Sequence, residues 1–129
     1  MSTNPLLIVF LGGGLGAALR YLVNQALGRL VSIEFPLGIM AINISGSLLM
    51  GVAAGYFAFK AGEDWTQNAR LFVTTGILGG YTTFSAFSLD AMLLYERGEA
   101  LTALFYVVGS VVLSILGLAA GLWAVRAFS

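Results

Sequence analysis

The chain has 129 residues, 59% hydrophobic and 9% charged, with six Lys/Arg balanced by six Asp/Glu. A soluble domain carries about 25% charged residues, so this composition, with a mean hydropathy of +0.94, excludes one and describes a membrane protein. Neither cysteine nor histidine is present, which removes disulfides, thiol catalysis and the usual ligands of zinc, haem and iron–sulfur centres.

Charge-free runs cover residues 1–19, 35–59, 71–89 and 100–125. About 20 apolar residues cross the hydrocarbon layer as a helix. Four spans, at approximately 5–30, 36–59, 67–96 and 99–126, therefore use most of the length and make one transmembrane domain over 1–129, with no extramembrane domain. No Lys or Arg precedes Arg20, so the basic start of a secretory signal is missing and the first span is expected to be retained.

The first span contains Gly12-Gly13-Gly14-Leu15-Gly16-Ala17. Its formal match to a dinucleotide-binding pattern has no meaning outside a βαβ unit; close helix packing through Gly12 and Gly16 is the better reading. Arg20, at the end of the uncharged run, is placed to snorkel or to meet an acid, and Asp90 at the exit of the third span is its natural partner.

The second span opens at Pro36, a residue suited to a first helical turn. Asn43, Ser47, Gly51 and Gly55 then recur every four residues. Ser47, Gly51 and Gly55 read best as a small-residue packing seam. Asn43 reads as more than packing, because an amide inside a span must find partners and its NH₂ supplies two donors. The polar connector Lys60 to Arg70 contains Trp65, an interfacial anchor.

The third span is poorly helical in its middle. Gly79 and Gly80 each cost about 1 kcal/mol against Ala, and Thr82 and Thr83 are β-branched and divert hydrogen bonds to their own backbone. A break near Gly79 to Thr83 is expected, and broken helices at membrane depth mark binding or conduction sites. In the fourth span Tyr106, Ser110 and Ser114 stand at i, i+4 and i+8, a ladder of hydroxyls on one face. Arg20, Arg29 and Arg97 fall on one side of the membrane and Lys60, Arg70 and Arg126 on the other, so the charges give no instruction for orientation and dual insertion is expected.

The glycine-rich lead to Arg20, Pro36-Leu37-Gly38 followed by Asn43, the run from Thr75-Gly76 through Gly79-Gly80-Tyr81-Thr82-Thr83-Phe84-Ser85-Ala86-Phe87-Ser88 and the hydroxyls of the fourth span together resemble the small bacterial fluoride channels called Fluc or CrcB, over nearly the whole chain. The resemblance implies an all-α protein of the bacterial inner membrane, with four transmembrane helices per subunit and the third broken mid-membrane. It further implies an antiparallel, dual-topology homodimer with two pores for fluoride, the permeant ion, and a structural sodium ion at the interface. By that resemblance Phe84 and Phe87 look like pore phenylalanines and Asn43, Thr83, Tyr106, Ser110 and Ser114 like polar pore residues. Gly79 and Thr82 look like the carbonyl ligands of sodium, and Arg20 and Asp90 like structural charges. Two departures stand out: Ile39 where many members have Thr, and Asp90 where many have Glu.

The chemistry agrees with this expectation. Fluoride is small and strongly hydrated, so a pore must replace its water with amide and hydroxyl donors, and aromatic rings are positive at their edges. A proton-coupled exporter would need a buried carboxylate in the first span, which holds none. An accessory membrane subunit would need only the glycine seams. An enzyme has no support, since the hydroxyls lack an adjacent base. Lipid and a second copy of the chain are the expected partners, with neither nucleic acid nor a soluble protein implied.

Overall fold

The computed structural model describes residues 4–30 and 35–128, and all of its regular structure is helical. Helix α1 spans Pro5–Leu30 and α2 spans Leu37–Phe59. The third span is composite: α3 (Thr66–Arg70), a π-wound segment (Leu71–Leu78), α4 (Gly79–Tyr81) and, after a break, α5 (Phe84–Glu96). Helix α6 covers Ala100–Ala127. Four helical spans, Pro5–Arg29, Leu37–Phe59, Thr66–Glu96 and Ala100–Ala127, are long and apolar enough to cross a membrane, within a residue or two of the sequence boundaries; Pro36 caps α2 rather than entering it. The chain is a multi-pass membrane protein.

Two parallel pairs make the frame. Helix α1 runs beside the π segment and α4: a Cβ at Gly12 would stand 2.7 Å from the Phe72 carbonyl oxygen, one at Gly16 would collide with the Ile77 carbonyl, and one at Gly80 with the Gly13 carbonyl. The same registry joins α2 to α6, where Gly51 abuts the Leu118 carbonyl, Gly55 the Val125 side chain and Gly121 the Leu48 carbonyl. Without Cβ atoms the backbones approach to contact, which is how helices associate where no hydrophobic force separates helix from lipid.

The core is small. Ile39, Ile42, Phe87, Leu94, Ala103 and Tyr106 form the buried cluster, while one side of nearly every helix presents leucine, valine and phenylalanine outward, the surface expected of spans bathed in lipid. The Lys60–Arg70 connector is tied down by the Thr66 hydroxyl, which donates to the Lys60 carbonyl, and by Trp65 against the rings of Tyr56 and Phe57.

Candidate functional site: a hydroxyl-lined cleft at the helix break

The break is narrower than the sequence suggests. Gly79 and Gly80 remain helical, and only Thr82 (φ −82°, ψ 157°) and Thr83 (φ −152°, ψ 120°) are extended. The glycines serve the close approach of α1; the threonines make the interruption. Thr82 directs its hydroxyl back to the Leu78 carbonyl at 3.0 Å, and Thr83 caps α5 by accepting the Ala86 N–H at 3.2 Å.

From across the bundle Asn43 completes the break. Its Oδ1 accepts the Thr83 N–H at 2.8 Å and its Nδ2 donates to the Thr83 carbonyl at 3.0 Å, leaving the second amide hydrogen for the space beyond. Nearby, the Ser45 hydroxyl meets the Tyr81 hydroxyl at 3.0 Å, and the Tyr81 ring and Thr82 methyl lie against Gly46.

These bonds redirect backbone donors. In an unbroken helix the Gly79 carbonyl would receive the Thr83 N–H and the Thr82 carbonyl the Ala86 N–H. Both N–H groups are given to side chains instead, to Asn43 and Thr83 respectively. Among the described residues no group of three or more Asp, Glu, His or Cys is placed to hold a metal ion.

Beside the break lies a cleft of about 340 Å³, lined by Asn43 and Ser47 of α2, Thr82 and Thr83 of the break, Phe84 and Phe87 of α5, and Ser110 and Ser114 of α6 among its residues. The two phenylalanine rings are 5.5 Å apart at 46°; Phe87 is buried, whereas Phe84 is 77% exposed. Ser110 is buried, and its hydroxyl has no hydrogen-bond partner among the described residues. A buried hydroxyl left unpaired costs free energy, so the cleft suits a ligand that can hydrogen-bond to it, an acceptor among them.

Asn43, Thr83, Phe84, Phe87, Ser110 and Ser114, expected from the sequence at one site, all line this cleft. Tyr106 is not among the cleft-lining residues, but its ring packs on Phe87, which is. Fully buried between the Phe35 and Phe87 rings, 5.4 Å and 5.2 Å away, it donates to Asp90 over a long 3.4 Å. Asp90 therefore pairs with Tyr106 and not with Arg20; among the described residues the ion pair found is Arg97–Glu99. Ser47, assigned to a packing seam, lines the cleft. The i, i+4 repeat that carries Asn43 to Ser47 was the signal that could have found it, but spacing alone reads the same for a seam and a lining.

A four-span helical bundle with an interrupted third span and a donor-rich, aromatic-flanked cleft at the interruption defines a membrane protein of the channel class. Residues 7–122 match the family model described as "CrcB-like protein, Camphor Resistance (CrcB)", and the chain belongs to that family. It is similar to the "Fluoride-specific ion channel FluC" of Rhodopseudomonas palustris (strain BisB5), 60% identical over 95% of this chain and 98% of the relative. It is also similar to the "Fluoride-specific ion channel FluC 2" of Nitrobacter hamburgensis, 57% identical over 93% and 95%, and to a protein of the former name from Methylobacterium sp. (strain 4-46), 55% identical over 95% and 96%. These names describe bacterial ion channels, not enzymes.

Proposed function

We propose that this protein is a fluoride channel that lets the anion leave the cell passively through the cleft at the break. The observation that carries the reading is the Ser110 hydroxyl, buried in the cleft wall without a partner among the described residues, in a setting that adds the spare Asn43 amide hydrogen and Ser114. Fluoride accepts hydrogen bonds strongly, so donors of this kind replace its water. Phe84 and Phe87 offer ring edges to the ion. The names of the relatives point to the same substrate.

The proposed assembly is an antiparallel homodimer in the bacterial inner membrane, with the break near mid-membrane and one pore contributed by each subunit's cleft. Supporting it are the exposed Phe84 ring, which leaves the cleft open on one side in a single chain, and the even division of Lys and Arg between the two membrane faces.

A sodium ion at the dimer centre belongs to the same reading. The carbonyls of Gly79 and Thr82 fit it, because the N–H groups that would meet them in a helix are engaged elsewhere and neutral oxygen donors suit a hard monovalent cation. Bound there, it would supply positive charge to the carbonyls and tie two broken spans together. In this reading Tyr106, packed on Phe87 and donating to Asp90, backs the path as a polar pore residue, while Arg20 and Asp90 are structural charges.

Purified protein reconstituted in liposomes tests the function, with fluoride and chloride efflux followed separately. Rapid fluoride efflux with little chloride efflux is expected; equal passage of both, or passage of neither, would sink it.

A further inference from the structure

Most of the described Ser and Thr hydroxyls in or beside the spans are spent within the protein. Ser45, Thr74, Thr82 and Ser88 bond a carbonyl of their own helix at 2.7–3.2 Å, while Thr83 and Ser85 engage each other at 3.3 Å. In contrast, Ser47, Ser110 and Ser114 make no hydrogen bond among the described residues, and all three line the cleft. Among the described serines, the three with unspent hydroxyls thus all gather where the ion is proposed to pass, and they stand on two helices.

Resting on the channel reading, we infer that Ser47 is an ion-contacting residue that gives the path a second donor wall on α2, facing Ser110 and Ser114 on α6. The registry of the parallel pair puts it at the right level. Ile44 and Leu48 flank Gly117, and Gly51 abuts the Leu118 carbonyl, so Ser47 stands about one turn beyond Ser114 along the same cleft, which Leu118 also lines. One helical turn before Ser47, Asn43 faces the same cleft. An anion leaving Asn43 therefore meets hydroxyls from both sides instead of sliding along one helix, and dehydration is shared between the walls. The seam residues Gly51 and Gly55 differ: their Cα positions are closed off by α6 backbone and side chain, with no room for an ion.

The test is a double-mutant cycle in liposomes with Ser47→Ala, Ser114→Ala and both together, and Ser47→Thr as the conservative variant. A hydrogen bond from a neutral donor to a charged acceptor is worth enough that each single Ala variant should slow fluoride efflux by about tenfold. If both hydroxyls hold the same ion, the double variant should be slower than either single but by clearly less than the product of the two effects. Ser47→Thr should restore most of the rate, since the hydroxyl is kept and the cleft has room for a methyl. Wild-type efflux in Ser47→Ala, or effects that simply multiply, would overturn the inference. So would a loss of assembly on size exclusion in both Ser47 variants, which would return the residue to packing. A wild-type protein that passes no fluoride would instead fail the channel reading on which this rests.

Discussion

Asn43 and Thr83, forty residues apart, hold each other by two reciprocal hydrogen bonds, 2.8 Å and 3.0 Å long, so that a side-chain amide takes the place of a neighbouring peptide. The extended backbone at Thr83 is thereby satisfied where water is excluded, which is the condition for non-helical chain inside a membrane protein.

Asn43→Ala should therefore damage structure as well as transport. Stranding a buried N–H and carbonyl together costs about 1–3 kcal/mol for each group. The expected outcome is a clearly lowered melting temperature in detergent together with lost fluoride efflux. An unchanged melting temperature would show that the break holds itself.

Phe84 and Phe87 predict the opposite pattern. Replacing either by Ile keeps an apolar side chain but removes the ring edge, so fluoride efflux should fall sharply while the elution volume of the assembled protein stays the same. Wild-type efflux in both variants would assign the rings to packing.

The glycines of α1 give an internal control. A Cβ at Gly16 would strike the Ile77 carbonyl, whereas one at Gly14 meets nothing within 4 Å. Gly16→Ala should destabilise the fold and abolish transport, since neither backbone can yield cheaply. Gly14→Ala, on the open side, should be neutral or stabilising by up to about 1 kcal/mol. Thermal melts of the two variants check the contrast; equal behaviour would refute the seam.

Orientation is read with single cysteines in the Lys60–Arg70 connector, labelled from outside intact cells, since the chain has no cysteine of its own. About half of the molecules should react. Labelling of nearly all or nearly none would mean one orientation only.

Sodium is expected to stabilise the assembly by mass action, because an ion bound only by the folded form raises its stability with concentration. Exchanging sodium for a bulky organic cation at constant ionic strength should lower the melting temperature. No change would argue against a cation at Gly79 and Thr82.

Much of this architecture was legible in the sequence because lipid allows few solutions. Charge-free runs of span length gave the four helices, and paired threonines after paired glycines gave the interruption. The exact break was harder: glycine weakens a helix, but here Gly80 lies against Gly13 and so stays helical. The partner of Asn43 could not be read, because it is 40 residues away in sequence. Nor could Asp90's choice of Tyr106 over Arg20, since membrane side alone says nothing about which of two neighbours a carboxylate faces. The π winding leaves no trace in an almost uniformly apolar run.

That winding makes the length of the third span part of the site. The π-type N–H groups of this segment, such as that of Gly79 to the Thr74 carbonyl, reach back five residues instead of four, so the segment stores more chain per turn than an α-helix would. Deleting one residue there without a compensating change of winding would rotate everything after it by close to the roughly 100° per residue of a helix. Gly80 would swing away from Gly13, Tyr81 from Ser45 and Thr83 from Asn43, although no side chain of the cleft had been altered. For this protein an insertion or deletion between Arg70 and Gly79 is equivalent to exchanging a whole face of the pore wall at once.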